Sequence, residues 1–183
     1  KNTFRNTAVT YKYFCQTRPD FRVGTVMLKM DSRGEYEKLS NIIKKGRDHK
    51  EFESEDDPKF RHLFTYAMHE RSDLSADKLA DAVSQKRVGK LLDLGCGPGS
   101  YTAAILKKDK TATATLMDRA TAIKVARKLC KTQSVYNRLH FVSGDFFDDE
   151  LGGGYDTVLM SNIIHIYNAT ENKNIFEKIN KAQ

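Results

Sequence analysis

The sequence predicts an α/β fold in which a doubly wound parallel sheet is preceded by a helical region. A short apolar run at 91–94 leads directly into a turn with glycine at alternate positions, Gly95, Gly97 and Gly99. After this turn, segments of strand length alternate with segments of helical periodicity, as in a parallel sheet with crossover helices. Before it, between residues 20 and 83, the recurring patterns are helical.

The composition of the 183 residues argues against several classes of protein. No apolar run approaches the ~18 residues that a membrane span needs, and we expect neither a membrane partner nor a secretory signal. The three cysteines, Cys15, Cys96 and Cys130, are widely spaced. This spacing predicts free thiols in the cytoplasm rather than a disulfide framework or a zinc site, and we expect no bound metal.

The chain has a net charge of +7, and its positive charge is unevenly distributed. Between Tyr101 and His140 there are nine Lys or Arg residues and only two Asp residues. Over 121–131 the basic residues lie opposite an apolar stripe, as on a solvated amphipathic helix. Aromatic residues do not alternate with these charges, so no platform for stacking bases is indicated. We therefore expect no nucleic-acid partner.

The region before the sheet carries four helical patterns, at 20–30, 35–45, 59–70 and 76–83. We expect Gly34 to separate the first two helices and Gly46 to cap the second helix at its carboxyl end. Residues 48–58 are rich in acids and predict a solvated linker. This linker places a domain boundary after residue 57, which separates a region 1–57 from a region 58–183.

The glycine turn indicates a nucleotide-binding unit of strand, turn and helix, because glycines let the backbone approach a ligand closely. Its spacing differs from the dinucleotide pattern G-x-G-x-x-G, since Ser100 stands at the last glycine position. Asp93 ends an otherwise buried strand, so its carboxylate needs a cationic or hydrogen-bonding partner. This acid would repel a pyrophosphate and attract an ammonium group.

Two later strands end in residues suited to a nucleoside. Asp118 follows a strand at 111–117, about 20 residues beyond the glycines, where an acid can accept from a ribose diol. A helix N-cap at Asp118 is a structural role that is compatible with ribose binding. A third strand, 138–143, leads to Asp145 and Phe146, which could bind the exocyclic amine of adenine and cover its ring.

A fourth strand is predicted at 155–162, and Ile163, Ile164 and His165 follow at its carboxyl end. Ligands of open α/β sheets bind at that end of the strands. Thr170 is expected to N-cap the last helix. The expected strand order is 3-2-1-4.

Several of these segments resemble known methyltransferases. The run 90–100 resembles the first motif of class I S-adenosylmethionine-dependent methyltransferases. The runs Gly-Asp-Phe-Phe at 144–147 and Tyr-Asp-Thr-Val-Leu-Met-Ser-Asn-Ile-Ile-His at 155–165 resemble the small-molecule O-methyltransferase family of caffeate-type and acetylserotonin-type enzymes. The resemblance covers most of the chain and is specific from Leu91 to His165. It implies a Rossmann-like domain whose seven-stranded sheet would need three more strands after Gln183.

The resemblance also implies roles for particular residues. S-adenosylmethionine would be the cofactor, and His165 would be the general base. A homodimer through the N-terminal helices is implied, and the helix at 59–70 would line the substrate pocket. The sequence departs from the family at Ile166, where a polar residue is usual, and at Ser161, where lysine is frequent. The positions implied to contact the cofactor are Gly95, Asp118, Asp145, Phe146 and Ser161.

These observations predict methyl transfer from S-adenosylmethionine to a hydroxyl of a small molecule. Two other functions stay open. A nicotinamide-dependent oxidoreductase would share the acid at Asp118 but is disfavoured by Asp93 and Ser100. A non-catalytic nucleoside-binding or dimerisation module is favoured if Ile166 reflects lost chemistry.

Overall fold

The computed structural model describes residues 3–15, 17–18, 20–31, 33–46, 57–72 and 75–183. The chain forms two compact units, Lys1–Glu70 and Arg71–Gln183. The division lies inside a helix, beyond the domain boundary that we expected after residue 57. Of the predicted acidic linker, only Asp57 and Pro58 belong to the described residues.

The first unit contains helices α1 (Ala8–Phe14), α2 (Val23–Asp31), α3 (Arg33–Lys45) and most of α4 (Pro58–Ser72). The carboxylate of Glu70, in α4, accepts from the backbone N–H groups of Gly24 and Thr25 at 2.8 Å each. These N–H groups lie in the first turn of α2 and have no acceptor within the helix, so Glu70 caps that helix. A Cβ on Gly24 would lie 2.5 Å from the backbone nitrogen of Ala67, which shows how closely α2 packs against α4.

We predicted that Gly34 interrupts a helix, and this prediction is wrong. The helix α2 ends at Asp31, α3 begins at Arg33, and Gly34 lies within α3. An exposed glycine costs a helix only about 1 kcal/mol, which the remaining turns of α3 offset. Gly46 does end α3: it has a φ of 76° and donates to the carbonyl of Ile42 at 2.9 Å.

The second unit is the predicted α/β fold. Its strands are β1 (Lys90–Leu94), β2 (Thr113–Asp118), β3 (Leu139–Ser143) and β4 (Thr157–Leu159), and its helices are α5 (Ala76–Val83), α6 (Ser100–Lys108), α7 (Ala120–Cys130) and α8 (Ala169–Ala182). All pairings are parallel, in the order β3-β2-β1-β4, which confirms the predicted order 3-2-1-4.

Two apolar cores cover the two faces of this sheet. Leu91 and Leu116 pack with side chains of α5, α6 and α7, whereas Leu92 and Met117 pack with side chains of α8. Neighbouring residues of a strand point to opposite faces, so each strand contributes to both cores. The second unit is therefore doubly wound.

Two details near the end of the chain differ from the prediction. The strand β4 comprises Thr157–Leu159 and is shorter than the predicted 155–162. Asn168, not Thr170, is the N-cap of α8: its side chain accepts from the backbone N–H groups of Thr170 and Glu171, and Glu171 accepts from the N–H of Asn168. This reciprocal capping box satisfies more free donors than a cap two residues later could.

Among the helices of the described residues, none is both long and apolar enough to cross a membrane.

Candidate functional site at the carboxyl ends of the strands

The strand register brings the predicted cofactor residues to one edge of the sheet. Leu94, before the glycine turn, is level with Met117, and Asp118 is level with Ser143. On the other side of β1, Asp93 is level with Leu159 of β4, two residues before Ser161. The segments that follow all four strands therefore meet at the carboxyl edge, where open α/β sheets bind ligands.

The turn after β1 is held against β2 by its backbone. The N–H groups of Gly95 and Cys96 both donate to the carbonyl of Met117, at 2.8 and 3.3 Å. A Cβ on Gly95 would lie 2.2 Å from Cδ1 of Ile163, so this glycine permits a close approach within the protein. A Cβ on Gly97 would meet no atom within 4 Å, so this side of the turn is open to a ligand.

Asp118 belongs to this turn and does not cap the next helix. Its Oδ2 accepts from the N–H of Gly97 at 2.8 Å, and its Oδ1 accepts from the N–H of Arg119 at 2.7 Å. The N-cap position of α7 is Arg119, whose side chain makes no capping hydrogen bond. The expected N-cap role of Asp118 is therefore wrong, and its carboxylate is oriented beside the open face of Gly97.

Asp93 is buried and has a hydroxyl as its partner. Only 3% of the residue is exposed, and Oγ1 of Thr102 donates to its Oδ2 at 2.6 Å. The pKa of Asp93 is raised to about 7, chiefly by burial; the hydrogen bond from Thr102 opposes this rise, and the charge of Asp118 adds to it. The sequence predicted a cationic or hydrogen-bonding partner but did not identify Thr102, which lies in the first turn of the following helix.

Asp145 and Phe146 follow β3 as predicted. Oδ1 of Asp145 accepts from the N–H of Phe147 at 2.9 Å, and its own N–H donates to Asp149 at 2.8 Å. The buried ring of Phe146 meets the ring of Tyr167 edge to face, with centroids 5.9 Å apart. The carboxylate is thus fixed in its turn, next to an aromatic surface.

Tyr167 was not identified from the sequence, because nothing in its local pattern separates it from a surface tyrosine. It is partly buried, and this burial raises the pKa of its phenol. Arg119 opposes the shift, whereas Asp145 and Asp118 add to it. Tyr167 is therefore near enough to Asp118, at the end of β2, and to Asp145, after β3, to interact electrostatically with both.

His165 lies in an exposed turn between β4 and α8. The N–H of Ile166 closes this turn by donating to the carbonyl of Ile163 at 3.0 Å. The side-chain amide of Asn172 donates to the carbonyl of Ile164 at 2.8 Å and fixes the turn to α8. Since Ile163 also packs on Gly95, the turn that carries His165 borders the glycine turn.

Ser161 is partly buried in the bend that follows β4, and its hydroxyl accepts from the side-chain amide of Asn162 at 3.4 Å. Asn162 has a φ of 59°, which is uncommon outside glycine. This left-handed residue redirects the chain from the strand towards the turn that carries His165.

Acidic and glycine residues at this edge offer groups that a ligand could contact. Within the described ranges, no group of three or more His, Cys, Asp or Glu residues could hold a metal ion. Asp93 is a buried acid with a neutral partner, which suits a ligand ammonium. The open face of Gly97 beside Asp118 leaves room for the remainder of such a ligand.

Comparison with known proteins agrees with this geometry. The chain is 26% identical over 183 residues to 3-hydroxy-5-methyl-1-naphthoate 3-O-methyltransferase of Streptomyces sahachiroi, covering 94% of the chain and 52% of that relative. The fold matches an O-methyltransferase family protein from Burkholderia thailandensis with a TM-score of 0.83 and 24% identity, over 98% of this chain and 56% of the other.

The fold also matches human N-acetylserotonin methyltransferase, solved in complex with SAM, with a TM-score of 0.75 and 19% identity, over 96% of this chain and 53% of that chain. The chain thus spans about half the length of these proteins. A family model described as the O-methyltransferase domain matches residues 36–183, which is most of the chain. The chain therefore belongs to the O-methyltransferase family.

Proposed function

We propose that the protein transfers a methyl group from S-adenosylmethionine to a hydroxyl group of a small molecule. The observation that carries this proposal is the meeting of Asp93, Asp118 and Asp145 beside an open glycine turn at one sheet edge. Family membership favours this function over the nicotinamide alternative, whose pyrophosphate would be repelled by Asp93.

Each acid suits a different part of the cofactor. Asp93 would receive the ammonium of the methionine part, Asp118 the ribose diol, and Asp145 the exocyclic amine of adenine. Phe146 would cover the adenine ring, because an aromatic face packs well on a base. Support for these roles comes from the common edge that the strand register creates.

The turn and the bend that border these acids complete the proposed cofactor site. Gly95 and Gly97 would let the backbone approach the cofactor, and Ser161 would contact it from the bend after β4. S-adenosylmethionine supplies an activated methyl group, so the main task of the protein is to align donor and acceptor.

His165 is the proposed general base. A phenolic acceptor has a pKa near ~10, so a base that takes its proton assists attack near neutral pH. Two observations support this role: His165 is exposed, and its turn borders the glycine turn through Ile163. Ile166, the neighbour of His165, is 58% exposed and offers no polar group to orient the imidazole.

We also propose a homodimer formed through the N-terminal helices. Several large apolar side chains of the first unit are exposed, and such surfaces favour association. These side chains include Val9, Tyr11, Phe14, Met30, Tyr36, Leu39 and Ile43.

We also propose a cytoplasmic location, because free thiols at all three cysteines suit a reducing compartment.

A transfer assay on the full-length protein tests the proposed reaction. Methyl-labelled S-adenosylmethionine is offered with separate panels of phenols, carboxylic acids and amines. We expect label in a phenol together with an equal amount of S-adenosylhomocysteine. Transfer to amines or carboxylates alone would overturn the hydroxyl specificity. Binding of S-adenosylhomocysteine without transfer to any panel would instead favour a non-catalytic module.

A further inference from the structure

The contact between Asp93 and Thr102 connects the last part of β1 with the first turn of α6 inside the protein. The two residues are 3% and 0% exposed, and the hydroxyl of Thr102 lies 2.6 Å from Oδ2 of Asp93. A hydrogen bond from a hydroxyl is stronger to an ionised carboxylate than to a neutral acceptor. A threonine hydroxyl can donate one hydrogen bond, and here Asp93 is the acceptor.

This hydrogen bond fixes the carboxylate in one orientation. With Oδ2 bound to Thr102 of α6, Oδ1 is the carboxylate oxygen available to a ligand. Asp93 immediately precedes Leu94, after which the chain enters the glycine turn. A cofactor on that turn would therefore find a carboxylate that is already oriented.

The titratable groups that interact electrostatically with Asp93 come from three neighbouring elements: Asp118 from the end of β2, Cys96 from the glycine turn and Cys130 from α7. Burial raises the pKa of both thiols, that of Cys130 to about 11, so they are neutral at neutral pH. Asp118 carries the remaining charge, and its repulsion favours the protonated form of Asp93.

We propose that Thr102 is a positioning residue for the cofactor amino group, and that the cofactor binds to the ionised form of Asp93 after this carboxyl group has lost its proton. The inference rests on the proposed function, because it presupposes a ligand with an ammonium group at this edge. Thr102 does not touch the cofactor; it acts through Asp93.

The direction of the pH effect follows from the proton balance. The pKa of Asp93 is about 7 in the free protein, so the carboxyl group is mostly protonated below that pH. An ammonium favours the charged form, so binding there requires that one proton leaves Asp93 for the buffer. Affinity should be level above about pH 7 and fall roughly tenfold for each pH unit below it.

Calorimetric titration of the full-length protein with S-adenosylhomocysteine, from about pH 5.5 to about pH 8.5, measures this dependence. Titration in two buffers with different heats of ionisation counts the protons released. As a comparison ligand, 5′-methylthioadenosine keeps the adenosine and the thioether but lacks the chain that carries the amino and carboxylate groups. We expect its affinity to stay level over the same range.

Two variants separate positioning by Thr102 from a merely structural role. Thr102→Val removes the donor that lowers the pKa of Asp93, so the midpoint of the affinity profile should move upward by about one pH unit. Thr102→Ser keeps a hydroxyl and should restore the original midpoint. If Thr102 only packed the core, both variants would lower stability and leave the midpoint unchanged.

The outcomes distinguish this inference from the proposed function. Absence of S-adenosylhomocysteine binding at every pH would overturn the proposed function and the inference with it. Binding that is level across the range and releases no proton would overturn the inference and leave the proposed function standing. A pH profile shared by 5′-methylthioadenosine would assign the proton to a group other than Asp93.

Discussion

The backbone N–H of Gly97 donates to Oδ2 of Asp118 across 2.8 Å, which ties the turn after β1 to the end of β2. The other oxygen of the carboxylate accepts from the N–H of Arg119. These bonds fix the orientation of Asp118 before any ligand arrives, so the cost of ordering this side chain does not fall on cofactor binding.

Asp118→Asn should weaken binding of S-adenosylhomocysteine by about 10- to 100-fold, because hydrogen bonds to a charged group contribute about 1.5–3 kcal/mol. Calorimetry measures the affinity. Asp81→Asn is the matched control, since Asp81 forms an exposed ion pair with Lys108 away from the sheet edge. We expect no change in affinity for this control. An equal loss of affinity in both variants would show that Asp118 does not belong to the cofactor site.

Gly97→Ala tests whether the open face of the turn belongs to the cofactor. Gly97 has a φ of 52° and Gly154 a φ of 72°, and neither has an atom within 4 Å of an added Cβ. Alanine in this left-handed backbone costs about 1–2 kcal/mol, so Gly97→Ala and Gly154→Ala should lower the free energy of unfolding alike.

Only Gly97→Ala should also weaken binding of S-adenosylhomocysteine, by about tenfold or more, because its methyl group occupies the space of the ligand. Denaturant unfolding and calorimetry on the same samples separate the two effects. Unchanged affinity in Gly97→Ala would mean that the cofactor does not approach this turn.

His165→Ala should lower the turnover of methyl transfer by about 100- to 10,000-fold, the usual contribution of a general base. Affinity for S-adenosylhomocysteine should stay the same, because the imidazole acts on the acceptor. His140→Ala is the control, since His140 is also exposed but lies on β3. A wild-type rate in His165→Ala would exclude His165 as the base.

Asn168→Ala should lower the free energy of unfolding by about 1 kcal/mol, because it removes the cap of α8. Thr170→Ala, at the position that we had expected to be the cap, should change it little. The midpoints of urea unfolding compare the two variants. The reverse ranking would contradict the capping box.

Much of the second unit could be predicted because its signals are local. The limits of β1 and the start of α6 follow from an apolar run that meets a glycine turn. The strand order and the common edge of Asp93, Asp118 and Asp145 then follow from the rules for parallel sheets. These features depend on patterns within a few residues and on general topology.

Other features depend on contacts between distant segments and were missed. Thr102 is an ordinary helix residue until the fold sets it against Asp93. Gly24 carries no turn pattern, and its small size matters only because α4 lies against it. The limits of β4 were overestimated, because an apolar sequence continues after the strand pairing ends at Leu159. Such features need the tertiary structure.

A crystal structure of the full-length protein with S-adenosylhomocysteine would show whether the cofactor binds at the carboxyl edge of the sheet. We expect the ribose diol on the carboxylate of Asp118, the adenine between Asp145 and Phe146, and the amino group at Asp93. Density for the ligand at any other place, with the edge beside Gly97 empty, would contradict cofactor binding at this edge.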